Sequence, residues 1–373
     1  MRIKHYKKNE SIILFTKLLI STLISLFSIG NKHPFYYFRT MEKVLSGIRP
    51  TGYLHLGNYF GAVKNFLALQ DNHECFFFVA NLHALTTHPD PLSLSSSVKS
   101  VLAEYLACGL DPEKSTIYIQ SDVPEISELY TLLNSLAYKG ELEKCTSFKE
   151  KIRKHEENIN AGLLTYPVLM AADILIHRAH KVPVGKDQEQ HLEMTRNFAV
   201  RFNHRYGVDF FPEPQAFNFS QQLVKVPGLD GSGKMGKSEA EGNALFLRES
   251  NESIINKIKK AKTAPSPTEP NSVKPIEIEN LFMLMGLVSS KETIQYFEDK
   301  YNDCSIQYGP LKMQLAEDIV KFALPIKEKI VDLEKNTDLL GKIAKLGAEK
   351  ARESANETIK GVKNLMGLKS IWL

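Results

Sequence analysis

Two lysines three positions apart, Lys234 and Lys237, lie inside the run Gly231-Ser232-Gly233-Lys234-Met235-Gly236-Lys237-Ser238. Its glycines make a mobile loop. Two ammonium groups at that spacing reach a single polyphosphate, where a lysine point charge suits a transferring phosphate oxygen. A solvated basic loop would have the same composition. A second run, Pro50-Thr51-Gly52-Tyr53-Leu54-His55-Leu56-Gly57-Asn58, uses Gly52 for a tight turn and Gly57 to let a nucleotide lie against the backbone. A helix starting near Asn58 would turn free N–H groups and its positive dipole end toward phosphate, with His55 and Asn58 as side-chain donors. A glycine-rich turn around a core histidine is the alternative. In a third segment, 163–175, Tyr166, Met170 and Asp173 fall at i, i+4 and i+7, one face of a helix. That face offers a hydroxyl, a polarizable apolar filler and a carboxylate set among Ala and Leu. A buried carboxylate needs a donor; an indole N–H is one, and a neighbouring backbone or basic group is another. Finally, Gly185-Lys186-Asp187-Gln188-Glu189-Gln190-His191 follows a strand candidate and opens a helix, with Asp187 and Gln190 spaced as a capping box.

Taken together, these runs resemble the class I aminoacyl-tRNA ligases, whose hallmarks are a "HIGH" element after the first strand and a "KMSKS" loop near the end of the nucleotide domain. Here they read His55-Leu56-Gly57-Asn58 and Lys234-Met235-Gly236-Lys237-Ser238. Asn58 replaces the second histidine, as is usual in the tryptophan branch, and Gly236 replaces a serine while both lysines stay. The segment 163–175 looks like the tryptophan-specific pocket helix of the bacterial-type tryptophan–tRNA ligases. Smaller matches at 46–50, 83–86, 140–143 and 148–151 extend the likeness from about Met41 to the C-terminus.

The resemblance implies activation of tryptophan by ATP, with Mg2+ accompanying ATP and no protein-bound metal, followed by transfer to tRNA(Trp). It implies ATP contacts at Arg49, Pro50, Thr51, His55, Gly57, Asn58, Gly185, Lys186, Asp187, Val226, Lys234, Met235, Gly236, Lys237 and Ser238. Tryptophan contacts would come from Asp173, Tyr166, Met170, His83 and, at the amino end, Gln188. Lys234, Lys237, Lys151 and Asn58 would carry catalysis. It further implies a homodimer with helices around 130–138 at the interface. A tyrosine–tRNA ligase of the same subclass is the alternative. Against it, a site built to receive a hydrogen bond rejects a ligand lacking it by roughly 10⁴–10⁵. Phenylalanine fails that test, and pocket length must exclude tyrosine.

Positioning these groups requires strands followed by helices. Strand candidates run over 44–48, 75–80, 116–120 and 181–184, with helical spacing at 58–69 and at Val98, Val101, Leu102 and Tyr105. The alternation predicts an α/β fold: a Rossmann-like parallel sheet over 41–245, its ligands beyond the strands' carboxyl ends at a switch point. The segment 125–173 reads mostly helical. After about 250 the strand signal vanishes, and the stripes Leu315/Ile319/Phe322, Leu339/Ile343/Leu346 and Ile359/Val362/Met366 predict an all-helical region over 246–373, suited by resemblance to reading the anticodon. The proline-rich stretch 263–274 reads as a connector. Lys257, Lys259, Lys260 and Lys262 form a basic stretch that suits phosphates or a solvated helix face equally.

The chain has 373 residues, 43% hydrophobic and 24% charged, with a net charge of +4, which fits an ordinary globular enzyme and permits a nucleic-acid partner without demanding one. Cys75, Cys108, Cys145 and Cys304 have no metal-ligand spacing and read as reduced thiols. Residues 1–40 are basic and acid-poor, with an apolar run over 12–29 broken by Lys17. That lysine argues against a secretory signal and would cost a membrane span roughly 2.5 kcal/mol or more. A start-site artefact or removable leader fits better, with Met41 as the start of the fold. The expected location is the cytoplasm, or the mitochondrion or plastid if residues 1–40 are a transit peptide.

Overall fold

Five short strands set the frame of the computed structural model, which describes residues 41–154, 159–185, 188–217, 226–231, 235–236 and 242–369. They are β1 (Lys43–Ile48), β2 (Glu74–Val79), β3 (Ser115–Ile119), β4 (Lys181–Val182) and β5 (Gln215–Ala216), in the order β3-β2-β1-β4-β5. Every pairing is parallel. The first three strands step one way across the sheet, and the chain then returns past β1 to build β4 and β5. The crevice beyond the ends of β1 and β4 is therefore the switch point. The four anticipated strands are present, with ends shifted by one or two residues. The two-residue β5 was not anticipated, because so short a strand carries no periodicity.

Helices cover both faces. The longer ones are α1 (residues 56–69), α2 (Pro91–Ala107), α3 (Pro124–Asn134), α4 (Thr146–Lys154), α5 (Tyr166–Ile176), α6 (Glu189–Tyr206), α7 (Asn251–Lys260), α8 (Ile276–Val288), α9 (Lys291–Asn302), α10 (Tyr308–Lys335) and α11 (Thr337–Leu365). Alternation along the strands sorts the core. Val44 and Phe77 face one layer with Phe66, Tyr105, Leu281 and Ile319. Leu45, Phe76 and Phe78 face the other with Val168, Ile174, Phe198 and Ile359. The helices after 246 thus share both cores with the sheet, and Met41–Leu373 forms one compact unit.

The last helix closes the open edge of β3. A Cβ on Gly347 would stand 1.7 Å from the Ile117 carbonyl oxygen, so helix and strand backbones meet directly there. Ala344, Ala348, Ala351 and Ala355 continue the same buried stripe. An exposed strand edge invites pairing with another chain, and covering it with a helix removes that hazard. The expected stripe Leu339/Ile343/Leu346 is not the buried one: Leu339 and Leu346 are 39% and 56% exposed. Large side chains would hold the helix away from the strand, so the contact face is built from small ones.

Candidate active site

The turn after β1 is assembled by reciprocal caps. Gly52 has φ +103°, the left-handed conformation its tight turn requires. The buried Glu104 of α2 accepts from the Leu54 N–H at 2.9 Å, pinning the far side of the turn. His55 caps α1: its Nδ1 accepts from the Asn58 N–H at 3.2 Å, while Asn58 Oδ1 accepts from the His55 N–H at 3.1 Å. The helix therefore begins at Leu56, two residues before the sequence suggests. Asn58 has its oxygen turned to the cap, and its amide N–H2 is left as the donor end at the cavity wall. Gly57 has a local reason as well, since a Cβ there would meet the His55 ring at 2.8 Å. Farther along, 59–63 forms a π-helical turn, a feature frequent at functional sites.

The second motif lies against the first. Leu56 N donates to the Leu245 carbonyl and Leu247 N to the Leu54 carbonyl, both at 2.9 Å. The ideal Cβ position of Gly57 is 3.6 Å from Met235 Cβ. Met235 is anchored through its N–H to the Val226 carbonyl at 2.8 Å, and both side chains are buried in the core. Lys234, Lys237 and Ser238 lie outside the described residues, as do Lys186 and Asp187.

A cavity of about 380 Å³ opens at the switch point, between the ends of β1 and β4, the start of α1 and the face of α5. Tyr166, Met170 and Asp173 all line it, as their helical spacing requires. Asp173 is 1% exposed and holds two side-chain donors: Gln120 Nε2 at Oδ1 and His83 Nε2 at Oδ2, each at 2.7 Å. The Gln120 amide is fixed in turn, its oxygen accepting from the Leu82 and His83 N–H groups at 3.0 and 3.4 Å. A carboxylate oxygen accepts more than one hydrogen bond. Asp173 is thus aimed by the protein before any ligand donor arrives, which refines the expectation that an indole or a single neighbour would satisfy it.

The cavity also has a cationic side, with Arg49 in its lining. Lys151 Nζ stands 4.8 Å from the Tyr166 ring centroid. Its ammonium is held below the usual lysine range, first by burial and then by the nearby Arg49 charge, with Cys145 opposing. Two cations crowded in a half-buried place favour an anion between them. Burial pushes the Cys145 thiol up, but hydrogen bonds from His191 and Ser147, the His191 charge and the Phe148 N–H outweigh it and leave the thiol at about 7.

Arg49, Asn58, His83, Tyr166, Met170, Asp173, Gly185 and Gln188 therefore meet at one cavity. Pro50, Thr51, His55 and Gly57 shape the adjoining turn, and Gly236 follows the buried Met235. Asp187, the other half of the expected capping box, lies outside the described residues, and Gln190 Oε1 accepts from Thr146 of α4. Sequence reading missed Gln120 and Phe217, the latter at the cavity rim. Gln120 had a usable signal: a polar residue ending an apolar strand, where parallel sheets place their ligands. Lys257 of the basic stretch turns inward to Glu249 at 2.5 Å and the Ala244 carbonyl at 2.9 Å. Lys259, Lys260 and Lys262 are exposed. Among the described residues no group of His, Cys, Asp and Glu could hold a metal ion, and no helix is long and apolar enough to cross a membrane.

A doubly wound parallel sheet, a capped glycine turn after its first strand and a cationic switch-point cavity define a nucleotide-binding α/β enzyme. The family described as class I tRNA synthetases (W and Y) matches residues 40–323. The tryptophan–tRNA ligase of Porphyromonas gingivalis is 59% identical over 329 residues, 88% of this chain and 100% of that protein. Its counterpart in Fusobacterium nucleatum is 41% identical over 88% of this chain and 98% of that protein. The solved tryptophanyl-tRNA synthetase of Campylobacter jejuni, complexed with ADP and tryptophan, superposes with a TM-score of 0.78 at 34% identity, covering 87% of this chain and 99% of that one. The chain belongs to the class I aminoacyl-tRNA synthetases and, within them, to the bacterial-type tryptophan–tRNA ligases.

Proposed function

We propose that this enzyme activates L-tryptophan with ATP and esterifies the activated amino acid onto tRNA(Trp) for protein synthesis. The observation that carries the reading is Asp173, a buried carboxylate aimed by Gln120 and His83 into a cavity that Arg49 also lines. The indole N–H donates to Asp173, Met170 packs against the ring, and Tyr166 and Gln188 meet the amino end. ATP lies along the turn 49–58 and Gly185, with Mg2+ accompanying it, and the remaining contacts come from Lys186, Asp187, Val226 and the loop 234–238.

The tryptophan carboxylate attacks the α-phosphorus in line. The bond to the bridging oxygen breaks, and pyrophosphate leaves with the electron pair. A carboxylate at neutral pH is already a nucleophile, so no general base is needed. The protein's task is to align the reactants and spread the developing charge. Lys151, Lys234, Lys237 and the Asn58 amide perform it. In the second step a ribose hydroxyl at the tRNA 3′ end attacks the adenylate carbonyl and AMP leaves. The helices after 246 meet the anticodon of tRNA held across a homodimer, whose interface includes 130–138; Tyr138 is 60% exposed there. The enzyme works in the cytoplasm. Charging of a tRNA(Trp) transcript with labelled tryptophan tests the reading: esterified tryptophan is the expected product, and adenylate formation without charging of any tRNA would instead indicate a small-molecule adenylyltransferase.

A further inference from the structure

A buried imidazole that this reaction does not use lies immediately behind the amino-acid end of the cavity. His191, in the first turn of α6, is 2% exposed. Its Nδ1 is 2.9 Å from Gln188 Oε1, and its Nε2 is 2.9 Å from Ser147 Oγ. Ser147 Oγ in turn is 3.3 Å from Cys145 Sγ. The imidazole ring packs against Tyr166 with centroids 5.5 Å apart. With the Gln188 oxygen as acceptor, Nδ1 must carry the proton. Nε2 meets the Ser147 hydroxyl, and that oxygen meets the Cys145 sulfur. The contacts form one continuous path from the base of α4 to the cavity wall.

The preceding residue ties down the same joint. Gln190 Oε1 accepts from the Thr146 N–H at 2.9 Å and its hydroxyl at 2.7 Å. Both contacts fall on the first residue of α4, the helix that brings Lys151 over Tyr166. One imidazole therefore touches the amide facing the amino-acid subsite, the aromatic floor beside it, and the start of the helix bearing the phosphate-side lysine.

We propose that His191 is a positioning residue that fixes the Gln188 amide toward the amino end of tryptophan and keeps that subsite in register with the helix bearing Lys151. The proposal rests on the reading of Gln188 as a tryptophan contact. Asparagine places a donor close to the position of the imidazole Nδ1, and glutamine close to that of Nε2, so the two halves of the contact can be separated. In ATP–pyrophosphate exchange with the full chain, His191→Ala should raise the tryptophan KM roughly tenfold, as loss of one oriented hydrogen bond would, and leave the ATP KM unchanged. His191→Asn should restore the tryptophan KM to near the parent value, whereas His191→Gln should leave it raised. Equal tryptophan KM values in the Asn and Gln variants, or an ATP KM that moves in step with the tryptophan KM, would overturn the positioning role. If His191→Ala does not fold, the Asn and Gln pair still decides. Gln188→Ala separates the two claims. An unchanged tryptophan KM there removes the Gln188 reading and this proposal with it, whereas a raised one alongside indistinguishable His191 variants removes this proposal alone.

Discussion

Asp173 illustrates how a single buried charge is made useful. Both of its oxygens are held at 2.7 Å, one by Gln120 and one by His83, so rotating it away from the cavity would break two short contacts. Removing it strips the pocket of its acceptor and leaves two donors unpaired. Asp173→Ala should therefore lower kcat/KM for tryptophan in pyrophosphate exchange by roughly 10²-fold, the scale of a hydrogen bond to a charged group together with its unpaired partners, while the ATP KM stays unchanged; an equal loss in both constants would mean that the site has collapsed. At the phosphate end, Lys237→Ala should slow exchange by roughly 10²–10³-fold while calorimetry still detects tryptophan binding, and loss of that binding would contradict a role confined to phosphate. The face formed by Tyr166, Met170 and Asp173 was legible in the sequence because helical spacing is local. Gln120 was legible only as the polar end of an apolar strand; its pairing with Asp173, 53 residues away, is made by the fold.

At the scale of elements, the caps and close approaches decide what the motifs do. His55 and Asn58 read in sequence as donors for phosphate; in the fold they first satisfy each other's backbone and set where α1 begins. The strands of the sheet were readable because double burial leaves uninterrupted apolar runs, as in 75–79. The buried face of α11 was misread because a stripe of Ala and Gly carries little hydropathy, although it is what permits contact with a backbone. Gly347 tests that account. A methyl group there cannot coexist with the Ile117 carbonyl at 1.7 Å, so Gly347→Ala should destabilise the fold by about 1–3 kcal/mol, seen as a lower Tm. A Tm equal to the parent's would mean that the helix does not lie on the strand edge.

Across the whole molecule, the C-terminal helices are clamped to the catalytic sheet by polar as well as apolar contacts. Arg248 pairs with Glu334 of α10 at 2.7 and 2.8 Å and covers the Tyr53 ring of the first turn at 4.1 Å. His177, fully buried at the end of α5, lies 3.1 Å from the Tyr118 hydroxyl of β3 and 3.2 Å from Ser354 Oγ of α11. Burial, and secondarily the Lys43 charge, holds its imidazole down to about 3 from 6.5. Between those values the unfolded chain binds a proton that the folded one does not, so stability falls as pH falls, by about 1.4 kcal/mol per pH unit from this group. His177→Gln lacks that proton, and denaturation from pH 7 to pH 4 should show the parent losing stability faster than the variant. A difference independent of pH would contradict a neutral buried imidazole. Sequence could anticipate a helical tail, since amphipathic spacing persists to the end of the chain. It could not anticipate that the tail is built into both cores, because which faces meet depends on a topology spanning the chain.

The central claim, that this site selects and activates tryptophan, is tested most directly by ATP–pyrophosphate exchange on the parent enzyme with tryptophan, tyrosine and phenylalanine in turn. Exchange should be driven by tryptophan, with kcat/KM higher by roughly 10⁴ or more than for phenylalanine, which cannot satisfy Asp173, and with tyrosine also strongly disfavoured. Exchange driven by tyrosine and not by tryptophan would contradict the account at its core.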